Sequence, residues 1–149
     1  MRGYWALSTI SVLAMPAALW AASPILPGLW ETTITIDSVD MPNAPPGIAK
    51  MMQGHKSVVK HCATADEVAQ GPQEMLKSSA DCHFNRYTMT GGHFSSEMVC
   101  TQHGSTVTAK SDGHFTPTSF DATGSTEMSG AHGMRMTTTV SGRRVGDCH

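Results

Sequence analysis

The sequence predicts a mainly β fold: a curved antiparallel meander sheet or incomplete barrel, with one or two short helices and two disulfides. Three observations carry that expectation. Apolar residues alternate with polar ones at a period of two in several separate runs, most cleanly in Trp30 to Asp37 and Met134 to Ser141. The junctions between runs hold Gly, Pro, Ser or Asp, and no long helical period occurs, which argues against the βαβ repeat of a parallel sheet. The four cysteines, Cys62, Cys82, Cys100 and Cys148, are an even set without C-x-x-C spacing, which favours disulfides over zinc.

The first residues are not part of that fold. Arg2 supplies a positive n-region, and Ala6 to Leu19 is a mostly apolar stretch. It is shorter than the roughly 20 residues that span a bilayer, so it suits a secretory leader. Leu19-Trp20-Ala21 ends on a small residue, and cleavage is expected after Ala21. Residues 22–149 then form a single β-rich domain. No cysteine near the cut could carry a lipid, and no later stretch is apolar enough to cross a membrane. A periplasmic or secreted protein is expected.

Pro27-Gly28 opens the domain. In the run that follows, Trp30, Thr32, Ile34 and Ile36 share one face, with Glu31, Thr33, Thr35 and Asp37 on the other. Met41 to Gly47 holds Pro42, Pro45 and Pro46 and reads as a loop. Ile48, Met51 and Met52 have helical spacing, in a short helix ending at Gly54. Ser57 to Cys62 is a second strand. Thr64-Ala65-Asp66-Glu67 is a capping box, which starts a short helix that stops by Gly71-Pro72.

From Asp81 the chain reads as a meander. Cys82 to Met89 and His93 to Thr101 flank Gly91-Gly92, a hairpin signal. Thr106 to Phe115, Ser119 to Met128 and Met134 to Ser141 follow as strands. A three-residue loop, Thr90 to Gly92, would pair Met89 with His93 and set Cys82 opposite Cys100, close enough to bridge. Cys62 would then take Cys148. The alternative pairs Cys62 with Cys82 and Cys100 with Cys148, and spacing alone does not decide among the three connectivities.

Charge excludes some partners. Ten basic residues against 12 acidic ones give a net charge of −2, without the basic stripe that nucleic acid or an anionic membrane surface requires.

Three features together resemble a known family. Pro27-Gly28-Leu29-Trp30-Glu31 follows the leader, four cysteines are spread through the domain, and the chain ends Gly142-Arg143-Arg144-Val145-Gly146-Asp147-Cys148. This pattern is similar to the exported bacterial family catalogued as domain of unknown function 3617, over the whole mature chain. The resemblance implies a periplasmic, disulfide-bonded, β-rich domain and carries over no catalytic or ligand residue.

The residues offer some chemistry of their own. Methionine is abundant, with 11 in the chain, and two groups lie near histidine: Met51, Met52 and His55, then Met128, His132, Met134 and Met136. Thioether and imidazole suit Cu(I). Met134 and Met136 also alternate on an apolar face, where methionine fills irregular gaps. His61, His83 and His149 each adjoin a cysteine, but disulfide formation removes the thiolate ligands. Ser57-Val58-Val59-Lys60 matches S-x-x-K, and Ser111-Asp112-Gly113 faintly echoes a second element of penicillin-recognising enzymes. A strand would put Ser57 and Lys60 on opposite faces, against that reading. Arg143, Arg144 and Asp147 could form an anion site, or a turn with an arginine–carboxylate pair, the reading preferred here.

The expectation is therefore a non-enzymatic, monomeric domain without cofactor. It would bind a small apolar ligand, in a concave face lined by Trp30, Ile34, Phe120, Met128 and Met136, or an envelope protein. The alternative is a periplasmic copper-binding protein using the Met/His residues. N-terminal sequencing of the exported protein should begin at Ala22; an intact Met1 in the exported fraction would refute the leader.

Overall fold

A computed structural model describes residues 24–45, 47–71, 81–102, 104–130 and 133–149. The expected leader with its expected cleavage site, and His132, lie outside the described residues. Among these residues, seven strands and two short helices occur in the order β1 (Gly28–Asp40), α1 (Ile48–Met52), β2 (Lys56–Ala63), α2 (Ala65–Gln70), β3 (Cys82–Thr90), β4 (His93–Gln102), β5 (Ser105–Thr116), β6 (Ser119–Met128) and β7 (Met134–Gly146). All seven strands form one open antiparallel sheet in the order β2-β1-β7-β6-β5-β4-β3. The run from β3 to β7 is a plain meander, and β1 closes against β7, joining the two ends of the domain.

The sheet is one layer thick among the described residues. Apart from α1, which contacts β1, no described element makes a substantial contact with the sheet other than through its strand neighbours. The buried apolar side chains are accordingly few: Trp30, Cys100 and Ala122.

Local chemistry accounts for the smaller elements. Thr64 accepts from the Glu67 amide at 3.2 Å, and Glu67 Oε2 accepts from the Thr64 amide at 2.8 Å, completing the expected capping box of α2. The helix stops at Gly71, whose φ of 75° suits glycine. The β1–β2 connection is anchored by the Gly54 amide donating to Ile36 O at 2.7 Å.

Both disulfides have the expected partners, Cys62–Cys148 and Cys82–Cys100, with Cα–Cα distances of 5.6 and 4.0 Å. The route to the second differs from expectation. The β3–β4 turn has two residues, not three: Thr90 pairs with His93, and Gly91 and Gly92 adopt φ of 60° and 76°. Two successive positive φ values are what a type I′ turn needs, and the strand twist favours it. That shifts the register by one, and a bulge at Asn85, between the Phe84–Met98 and Arg86–Glu97 pairs, shifts it back. Cys82 therefore meets Cys100 although the predicted loop is one residue too long.

Strand β7 also runs past Ser141 to Gly146, because β1 offers partners up to Leu29. The Cys62–Cys148 bridge closes an 86-residue separation and ties the outer strand β2 to the end of β7. Chain-entropy arguments assign a loop of that size about 4–5 kcal/mol. A Cys148→Ser variant should lose roughly 2–5 kcal/mol in equilibrium urea unfolding. Unchanged unfolding would mean that the bridge is dispensable.

Candidate functional site

Register sorts the side chains onto two contrasting faces. One carries Trp30, Ile34 and Ile36 of β1, Val140, Met136 and Met134 of β7, and Phe120, Ala122 and Met128 of β6. It continues through Phe115, Ala109 and Val107 of β5 and Phe94 and Met98 of β4 to Phe84, Tyr87 and Met89 of β3. Bulges keep this face apolar. The extra residue at Asp37 brings Val39, not Ser38, opposite Met136. The extra residue at Asn85 puts Phe84 and Tyr87 on the same side.

Lateral packing is the cover these side chains have. Trp30 is 6% exposed, its Nε1 donates to Leu26 O at 3.1 Å, and its ring lies 5.9 Å from that of Phe120. The Phe120 ring in turn lies over Gly142, where any Cβ would clash with it. Phe84 and Tyr87 pack at 5.4 Å, and Tyr87 Oη donates to Met89 Sδ at 3.1 Å. Burial pushes the Tyr87 phenol above its ordinary range. Most other members of the face are half-buried.

The opposite face is Ser, Thr and paired charge. Glu31 lies between Arg143 (2.7 Å) and Lys60 (3.6 Å), each its direct cross-strand neighbour. Glu97 pairs with Lys110 at 3.5 Å and accepts from Asn85 Nδ2 at 3.1 Å; Glu127 pairs with Arg135 at 3.0 Å. Hydrogen bonding from Arg143 holds the Glu31 carboxyl below the usual range, and that from Asn85 does the same for Glu97. The Thr64 amide lowers Glu67 likewise.

A shallow trough of about 630 Å³ crosses this polar face from Asp37 to Arg86. Its charged members are Asp37, Arg86, Glu97, Lys110 and Asp112. A second, of about 360 Å³, lies among Glu31, Thr33, Ser141, Gly142 and Arg143. Neither contains any of Trp30, Ile34, Phe120, Met128 or Met136. Those five do share the apolar face, with Trp30 and Met136 towards opposite ends of it. They form part of an open surface rather than the lining of either trough.

The other candidates separate as follows. Met128 and Met134 are direct cross-strand partners, and Met136 lies two residues further along the same face. Met51, in contrast, is 84% exposed on α1. Ser57 and Lys60 fall on opposite faces of β2, and Lys60 pairs with Glu31, which removes the S-x-x-K reading. All four cysteines are in disulfides. Arg143 pairs with Glu31, while Arg144 pairs with Asp147 and donates to Pro27 O at 2.7 Å, so both arginines of the closing motif have carboxylate partners. His93 bonds Asp112 at 3.2 Å and packs edge-on against His114. No three His, Cys, Asp or Glu side chains among the described residues are arranged to hold a metal ion. No described helix is long and apolar enough to cross a membrane.

With the disulfides, the opening Trp30 strand and the closing Arg-Arg strand in place, comparison with known proteins is informative. A family model described as a protein of unknown function (DUF3617) matches residues 25–148. The chain belongs to that family. No curated protein and no solved structure matches the chain. The DUF3617 match covers all seven strands, both faces and both disulfides.

The ion-pair ladder predicts a pH response. Glu31 is held low when folded, so its contribution is complete above the ordinary carboxylate range and is lost as pH falls through its depressed pKa. In a carboxyl NMR titration, Arg143→Ala should move the Glu31 transition up towards the ordinary range; an unmoved transition would refute the pairing.

Proposed function

We propose that this DUF3617 domain is an exported, non-enzymatic binding module that docks its apolar sheet face onto an apolar surface of a protein partner in the cell envelope. One observation supports this above the rest. The sheet has a largely apolar face, crossed at mid-height by Thr138, Gly124, Ser111 and Ser96, and apart from α1 beside β1 no described element makes a substantial contact other than with its strand neighbours. A sheet ordinarily buries such a face against a second layer, and here the second layer would come from another molecule. Two sheets, or a sheet and a helix, would supply the missing layer.

The same geometry favours a protein over a small ligand. Small-molecule sites enclose most of their ligand's surface. The apolar residues here form an open face, while the described troughs are polar. Export is supported by the leader-like first residues and by two disulfides, which persist in oxidising compartments.

The sheet edges support a face-on mode of association. Outer strand β2 carries Lys56 and Lys60, and outer strand β3 carries the Asn85 bulge beside Arg86. Lysines and bulges are the usual means of discouraging strand addition.

Neighbouring positions on β7 make the test. A photocrosslinking amino acid at Val140 (apolar face) should yield a discrete protein adduct in intact cells, and the same group at Thr139 (polar face) should not. Equal adducts from both positions, or one from Thr139 alone, would refute the proposal. A lipid-sized adduct at Val140 would replace the protein partner by a small apolar ligand.

A further inference from the structure

The end of the apolar face beside the β6–β7 connection differs from the rest. Its side chains there are thioethers. Met128 of β6 is paired directly with Met134 of β7, and Met136 follows on the same face. Direct cross-strand partners have Cβ atoms about 5 Å apart, and residues two apart on a strand point the same way. Methionine has three rotatable bonds beyond its Cα, so three sulfurs placed like this can turn towards one point. We propose that Met128, Met134 and Met136 form a binding site for a soft monovalent cation, Cu(I) or Ag(I), held by thioether sulfur alone.

The surroundings fit a soft ion and disfavour a hard one. The residues paired with these methionines on the same face are Val107 beside Met128, and Val39 and Thr126 beside Met136. None is a carboxylate. The nearest charges on these strands, Glu127 and Arg135, neutralise each other at 3.0 Å on the opposite face. That pair also pins the β6–β7 register on which the methionine alignment depends. Thioether sulfur selects Cu(I) and similar ions, whereas Zn(II) takes thiolate, imidazole or carboxylate.

Access and packing agree. All three methionines are half-buried rather than sealed in a core, so an ion can reach the sulfurs. A gap-filling role would require a cavity to fill, and no described element lies over this face to make one. The site also separates the two methionine groups of the sequence. Met51 projects from α1 into solvent and takes no part. The site lies on the same face as the proposed docking surface, but it needs the methionine sulfurs alone, so the isolated domain tests it without a partner.

Silver is the practical probe, because it is soft, monovalent and needs no reductant that would open the disulfides. The oxidised domain, labelled at its methionine methyl groups, is titrated with Ag(I) and followed by NMR and native mass spectrometry. One ion should bind per chain, shifting the methyl signals of Met128, Met134 and Met136 while leaving that of Met51 in place. The triple variant M128L/M134L/M136L keeps the apolar volume, so it should melt like the parent and lose the bound ion. Zn(II) in excess should not displace silver. The proposal is overturned if the folded triple variant binds Ag(I) as the parent does, if the shifts fall on Met51 and Met52, or if Zn(II) displaces the ion.

Discussion

A single sheet layer has to hold itself together from one side. Among the described residues, the apolar groups of the sheet that are covered at all are covered mainly by neighbours along and across the strands. The consequences are visible in particular contacts. Phe120 lies over Gly142 and against Trp30, so one aromatic ring covers a glycine and packs beside the indole. A Cβ at Gly113 would collide with the backbone of Ala122, so β5 and β6 approach closely where neither has a large side chain. Even so, the buried apolar side chains described are three. A chain with so thin a core needs covalent help. The two bridges provide it at opposite margins, Cys82–Cys100 at β3 and Cys62–Cys148 at β2.

The polar face does different work. Its ion pairs are exposed, and exposed pairs add little to stability. Their value lies in register. Lys60, Glu31 and Arg143 join β2, β1 and β7; Glu127 and Arg135 join β6 and β7; Glu97 and Lys110 join β4 and β5. A slip of one residue in any of these pairings would bring apolar side chains to the polar face. The charges thus help keep the two faces distinct, and that distinction is the feature on which a docking function and a thioether site both rest.

Most of the fold was legible in the sequence because its signals are local. Period-two alternation, the Thr64 capping box and the glycines of the Gly91-Gly92 turn each report on a few adjacent residues. What escaped was the phase of the pattern. The apolar series Cys82, Phe84, Tyr87 and Met89 skips a beat at Asn85, and the series ending at Ile36 resumes at Val39. Those breaks mark the bulges and could have been read. The candidate site was half legible. Trp30, Ile34, Phe120, Met128 and Met136 do share a face, yet whether that face encloses a cavity depends on layers, which alternation does not encode. The polar trough could not have been anticipated, since its serines and threonines look like any solvated strand surface.

The central claim is that the apolar face stands open in the isolated domain. Methyl NMR of the oxidised protein with a water-soluble paramagnetic chelate tests this most directly. The account predicts that the methyl groups of Ile34, Val140 and Met136 relax strongly, as groups within reach of solvent do, while Ala122 stays protected. If all of these methyls were as protected as Ala122, the face would already be covered within the chain, and the proposed docking surface would not exist.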